Sequence, residues 1–414
     1  MNDSVQRARD VALSHLNPTK AELDRGLRLH AEAVVFDSYG FSPRAAIDGE
    51  ALGAEIEAGA SDLEIQDLSE EMSMTRMARD ERERAEFQWA WEQAGVDCIF
   101  QNAGEEGQDP VRMMKRLARF TYVTDFMSDF ITKAVVPQDI VQAKARGRRA
   151  LYFTANGVAQ PQQWVTVEEE LGLIRIFFQL GIRMMHLTYN RRNMIGDGCA
   201  EPANAGLSDY GRAVVAEMNR VGVIVDTAHS GWQTSLEAAQ LSTVPMVASH
   251  SGCVAVNKHH RCKPDEVIRA ICDTGGYIGI CCVPAFLGRS GDIRALLDHI
   301  DHVARSFGAD HVAIGTDVAY TSSRYAEEAR KLPSRRRSRN PWRSFWQPDD
   351  ALFCADWQKP EMHQSLAWTN WPLYTVGLVQ RGYTDEQIRK IIGGNVLRVA
   401  DAALQAAGHG RAAK

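Results

Sequence analysis

The sequence predicts an α/β fold, a (β/α)8 barrel in one domain, and three observations carry that prediction. Short β-branched runs alternate with amphipathic helical stretches, and the runs count to eight. The runs are apolar and bounded by turn signals, as buried parallel strands are. They also end in clusters of polar residues, which is where a barrel of this kind carries its reactive groups.

Residues 1–30 read as a helical N-terminal extension with alternating charge, followed by AVVFDS (33–38), the first strand. Residues 42–82 are acidic and Gly/Ala-rich, and are expected as a long irregular loop over the strand-end face. A helix is expected over 74–95, a second strand over GVDCIFQN (95–102), helix over about 110–146, and a third strand at RALYFT (149–154). VEEELGLIRIFFQLG (167–181) is an amphipathic helix feeding IRMMHLTY (182–189), the fourth strand. After a polar loop, the helix DYGRAVVAEMNRVG leads into VGVIVDTAHS (221–230), the fifth strand region. GWQTSLEAAQLST is long enough for one helix before VPMVASHSG (244–252), the sixth. PDEVIRAICDTG opens with proline and acidic residues, as a first helical turn does. GYIGICCV (276–283), the helix IRALLDHIDHVARSFG and DHVAIGTD (310–317) complete the count.

Residues 321–367 break this rhythm as an insertion, basic and then aromatic, whose aromatic part over 341–357 is expected as a subunit contact or a lid. Two C-terminal helices follow, near 370–381 and 384–405. Gly393–Gly394 in the second is costly to a helix and implies a packing reason. The barrel domain is thus placed at 31–405, with a flexible tail over 406–414.

Composition narrows the function. With 45% hydrophobic and 24% charged residues the chain is an ordinary globular protein. A net charge of -6 argues against nucleic acid and anionic membranes as partners. The cluster RRRSRNPWR is therefore read as part of a solvated insertion or a subunit contact rather than a phosphate-binding surface. No apolar run approaches the roughly 18 residues of a spanning helix, and the N-terminus has no secretory core. Eight cysteines without a CxxC pair point to core thiols in a reducing cytosol.

The candidate site is assembled from the strand ends. His229 and His250 fall at equivalent positions on successive strands, and two neutral imidazoles side by side are a common way to hold zinc. Each on its own is equally a strand cap bonded to the backbone. Asp317, at the last strand end, is the candidate general acid/base; metal ligand and helix cap are its other roles. Arg261 offers a two-pronged grip on a substrate carboxylate, against the alternative of a surface arginine. The remaining ends supply Asp37, Ser38, Tyr39, Gln101, Asn102, Asn156, Thr188, Tyr189 and Asn190.

These residues resemble the membrane dipeptidase family (renal dipeptidase-like, peptidase family M19). The resemblance is carried by VEEELGLIRIFFQLGIRMMHLTY, LSDYGRAVVAEMNRVGVIVDTAHSG, VASHSG with the downstream Arg261, GADHVAIGTD and the tail WPLYTVGLVQRGYTDEQIRKIIGGNVLRVAD, most of residues 149–405, with a weaker match over 30–41. It implies a barrel of the metal-dependent amidohydrolase kind, two zinc ions, and hydrolysis of dipeptides. Carried over by position, His229 and His250 resemble the imidazoles of the second zinc, Arg261 the carboxylate-binding arginine, and Asp317 the metal-binding proton carrier. The departures lie in the first half. The family's Asp-Gly-His-Asn-Asp reads Asp37, Ser38, Tyr39, Gly40, Phe41, so Tyr39 and Phe41 replace both first-zinc ligands. Asn156 replaces the bridging glutamate and Tyr189 a substrate-contacting histidine. Glu105 and Glu106 follow the second strand and do not restore the bridge.

The resulting expectation is a dipeptidase-like hydrolase of a small amide with a carboxylate, holding at most one zinc through His229, His250 and Asp317. Tyr39, Asn156, Tyr189 and Arg261 would contact substrate, and the protein would be a cytosolic homodimer acting on a small molecule. Two alternatives stay open: a metal-free enzyme using Asp317, Tyr39, Tyr189 and a histidine for proton transfer, elimination or isomerisation, or a catalytically inactive barrel that binds a ligand.

Overall fold

The structure, a computed structural model, describes residues 3–104, 109–334 and 341–409. Its centre is a ring of eight parallel strands: β1 (Phe36–Gly40), β2 (Cys98–Asn102), β3 (Arg149–Ala155), β4 (Ile182–His186), β5 (Ile224–Asp226), β6 (Val247–Cys253), β7 (Tyr277–Ile280) and β8 (Val312–Ile314). Each pairs in parallel with the next in sequence, the order of the expected barrel. Side chains and loop amides bridge β8 back to β1. Thr316 donates its amide and hydroxyl to the Asp37 carboxylate at 2.9 and 2.6 Å, and the Asp317 amide donates to the Tyr39 carbonyl at 3.1 Å. Inside the ring, aromatic side chains from adjacent strands fill the bore, Phe36 stacking on Phe100 at 5.2 Å and Phe100 lying 5.0 Å from Tyr152. The barrel is therefore a packed core with its chemistry confined to one end.

The helices that aim β4 and β5 have sharp ends. Thr166 caps Val167–Leu180, and Gly181 at φ 114° reverses the chain directly into β4. The helix Asp209–Val221 starts at Ser208 and hands over to β5 in the same way.

Three expectations need correction. The stretch 42–82 is not irregular: it holds helices Gly49–Glu57 and Asp62–Thr75. The second starts in a capping box of Ser61 and Glu64, a signal its Gly/Ala-rich composition obscured. The helix expected over 110–146 is two, Pro110–Phe126 and Pro137–Ala145, around a short strand Ile131–Lys133 that pairs with β3; Pro137 cannot sit inside a helix and starts a new one. The last helix is interrupted by a π-turn, Lys390–Gly394, before Asn395–Ala406. The packing reason for glycine is present: a Cβ on Gly393 would lie 2.1 Å from the Val34 carbonyl oxygen.

The two N-terminal helices, Asp3–Leu16 and Lys20–Glu32, lie against the C-terminal helices, with Gly26 abutting Val376 and Asn370 donating to the Ala8 carbonyl at 3.0 Å. The insertion contributes short helical turns such as Pro341–Phe345 and Ala351–Phe353; its arginine-rich part, 335–340, lies outside the described residues, as do Glu105, Glu106 and the tail from 410. All the cysteines are free thiols, and all but Cys354 are buried. No described helix is long and apolar enough to cross a membrane.

Candidate active site

At the C-terminal ends of the strands opens a cavity of about 520 Å³. Tyr39, Asn156, Tyr189, His229 and Asp317 line it, together with Arg44, Glu70 and Arg116 from the first-half excursions and Trp342 and Trp346 from the insertion. His250 and Arg261 stand behind that wall, both fully buried. The insertion thus roofs the mouth. Trp342 donates its indole N–H to the Tyr189 hydroxyl at 3.0 Å, and Arg191 grips the Ser344 and Trp346 carbonyls at 3.1 and 2.5 Å.

The two histidines meet as their strand positions suggest: His229 Nε2 lies 2.9 Å from His250 Nε2. Their outer nitrogens are held at 2.8 Å, His229 Nδ1 by Asn190 Oδ1 and His250 Nδ1 by the Ser249 hydroxyl. An amide oxygen can only accept, so His229 carries its proton on Nδ1 and keeps a lone pair on Nε2. Burial, followed by the Arg261 guanidinium, holds both imidazoles well below their ordinary range, so both are neutral. Arg261 donates through Nη1 to the Ala228 carbonyl and through Nη2 to the His250 carbonyl at 3.1 Å. Among the described residues its buried Nε finds no partner. The guanidinium is thus committed to the backbone just before one histidine and to the other histidine's own carbonyl.

In the first half of the barrel the replacements satisfy one another. Tyr39 stacks on His250 with ring centres 3.8 Å apart and planes 15° apart, and its hydroxyl donates to Asn156 Oδ1 at 2.5 Å. Phe41 packs edge-on to Tyr39 at 5.8 Å and offers no ligand atom. Asp317, half-buried, adopts φ 57°, a left-handed conformation that aspartate tolerates better than most residues. Such strain concentrates at functional sites. Tyr189 stacks on His229 at 4.2 Å.

Sequence reasoning passed over two groups here. His186 ends β4 and Asp226 ends β5; the ladder pairs them directly, and His186 Nε2 lies 2.7 Å from Asp226 Oδ2 with both side chains fully buried. A histidine and an aspartate closing largely apolar strands were the available signal. Among the described residues, two groups bring three ligand atoms within 4.8 Å of one another: His186, Asp226 and His250, and His259, His260 and Asp350. His229, His250 and Asp317 do not form such a group.

A (β/α)8 ring with neutral imidazoles and a carboxylate at the mouth is a barrel of the amidohydrolase type. The chain matches the membrane dipeptidase family (peptidase family M19) over residues 24–333, and it belongs to that family. It is 28% identical over 280 residues to dipeptidase verJ of Clonostachys rogersoniana, covering 66% of this chain and 60% of that relative. In fold it is similar to an amidohydrolase from Pseudomonas aeruginosa, with TM-score 0.65, 23% identity, and coverage of 91% of this chain and 98% of that one. It is also similar in fold to a metallopeptidase from Rhodobacter sphaeroides liganded with a phosphinate mimic of the dipeptide L-Ala-D-Ala, with TM-score 0.60, 16% identity, and coverage of 90% of this chain and 100% of that one.

Proposed function

We propose that this protein hydrolyses a small amide of the dipeptide type, bound in the roofed cavity, with at most one zinc ion. One observation carries the reading: His229, just after β5, and Asp317, just after β8, line the same cavity at the strand ends. The volume of about 520 Å³ falls within the range of small-molecule sites, and the Rhodobacter relative's dipeptide mimic points to the same substrate class.

A two-ion centre of the family kind does not fit these residues. Tyr39 and Asn156 are hydrogen-bonded to each other where ligands would stand, and Phe41 has none to give. A single ion fits the neutral imidazoles better; when bound it would act as a Lewis acid and lower the pKa of water. The chain's own groups supply the rest. Asp317 takes a proton from the attacking water and returns it to the leaving amine. Asn156, accepting at Oδ1, has N–H donors left for a substrate oxygen. Burial, with Arg261 second, keeps the imidazoles neutral, and Arg261 supplies positive charge behind the pocket for a substrate carboxylate. Buried free thiols suit a reducing cytosol, and a homodimer is part of the same proposal.

Asp317→Asn, assayed on a panel of dipeptides with L and D residues at the C-terminal side, is expected to lower kcat by roughly 10²–10⁴-fold with the fold intact. Wild-type protein inert across the panel, or a fully active variant, would refute the reading.

A further inference from the structure

We infer that His186, Asp226 and His250 form a binding site for one divalent transition-metal ion of the zinc type, displaced toward β4 from the His229–His250 pair. This deepens the single-ion part of the function proposed above. The backbone builds the site: β4–β5 register sets His186 beside Asp226, and Asp226 lies across from Val247, three residues before His250. All three side chains are fully buried, and their ligand atoms lie within 4.8 Å of one another.

The decisive feature is how His186 and Asp226 meet. Their atoms are 2.7 Å apart, yet among the described residues neither His186 nitrogen nor Asp226 Oδ2 has a hydrogen bond of acceptable geometry. An imidazolium–carboxylate pair would aim an N–H along that line. A shared cation would need only that two lone pairs converge on it, drawing its donor atoms to about 2.0–2.1 Å. The outer atoms are fixed as ligand supports usually are: Asp226 Oδ1 accepts from the amides of Ala228 and Ser249 at 2.9 and 3.0 Å, and His250 Nδ1 meets the Ser249 hydroxyl at 2.8 Å. Two imidazoles and one carboxylate make three protein ligands with a fourth position open, the pattern of catalytic zinc. His229, beside His250, lines the cavity next to this site.

The test uses the full chain, stripped with a chelator and titrated with zinc chloride, and separately with cobalt chloride, whose visible spectrum reports coordination number. Wild type is expected to take up one ion per chain. His186→Gln and Asp226→Asn are each expected to weaken uptake by at least about a hundredfold, whereas Asp317→Asn retains it. No stoichiometric ion in wild type, or uptake lost in Asp317→Asn but kept in His186→Gln, overturns the inference. Should the buried variants fail to fold, anomalous scattering at the zinc edge from wild-type crystals decides: a peak among the three side chains supports the site and a peak elsewhere removes it. Ion uptake is read without substrate. A bound ion without peptide hydrolysis therefore refutes only the function, and hydrolysis without an ion at this place refutes only the site.

Discussion

Tyr39 stands where the family resemblance puts a metal-binding histidine, and its surroundings suit a phenol. The ring stacks on His250 and meets Phe41 edge-on, and its hydroxyl is met by Asn156. A buried hydroxyl needs such a partner, because leaving it unpaired costs about 1–3 kcal/mol. Changing one member alone therefore breaks a matched pair. Replacing the set together is the informative experiment: Tyr39→His, Phe41→Asp and Asn156→Glu in one chain is expected to raise the bound zinc to two ions per chain by elemental analysis. An unchanged count would mean that this half of the barrel has lost its geometry as well as its ligands.

Among the elements, Gly393 marks a close junction, since its backbone passes directly over Val34 at the entry to β1. Gly393→Ala is expected to lower Tm by several degrees, through overpacking of about 1–3 kcal/mol, without changing the helical content seen by circular dichroism. This position was legible in the sequence because paired glycines inside a helix demand an explanation. The ring of strands was legible too, because each strand is short, β-branched and bounded by turns. The excursion over 42–82 was not, since amphipathic patterning there is weak and its helices are held from outside: Arg119 reaches Glu71 and Asp67 at 2.8 and 2.7 Å, and Arg116 reaches Glu70 at 2.7 Å. The convergence of His229 and His250 followed from their matching places on neighbouring strands. The closeness of His186 to Asp226 did not, because it depends on ladder register, which one sequence leaves open.

For the molecule as a whole, buried imidazoles set the response to acid. Burial lowers His30 and His299 to about 4, and each is locked as a neutral donor–acceptor: His30 between Thr375 and the Ala94 carbonyl, His299 between the Cys253 amide and the Leu287 carbonyl. Between pH 6.5 and 4 the unfolded chain binds protons that the folded chain refuses, so stability present above about 6.5 is lost as pH falls. Each is worth up to about 3 kcal/mol. Asp37, pushed up to about 7 by burial, acts in the opposite sense between 3.8 and 7 and partly offsets them. His30→Gln is expected to flatten the fall of Tm across this interval; an unchanged slope would show that His30 titrates normally. The roof of the pocket is also joined to its rear wall. Asp350 of the insertion lies 3.4 Å from His259 Nε2, while Nδ1 of the same ring accepts the Arg261 amide at 3.1 Å. One imidazole thus stands as a rod between the lid and the Arg261 backbone, and a pull on the insertion is expected to reach Arg261 through it. With Asp350→Ala the rod is disconnected, and the Arg261 amide is expected to exchange its hydrogen faster; unaltered exchange would mean that the two ends move independently.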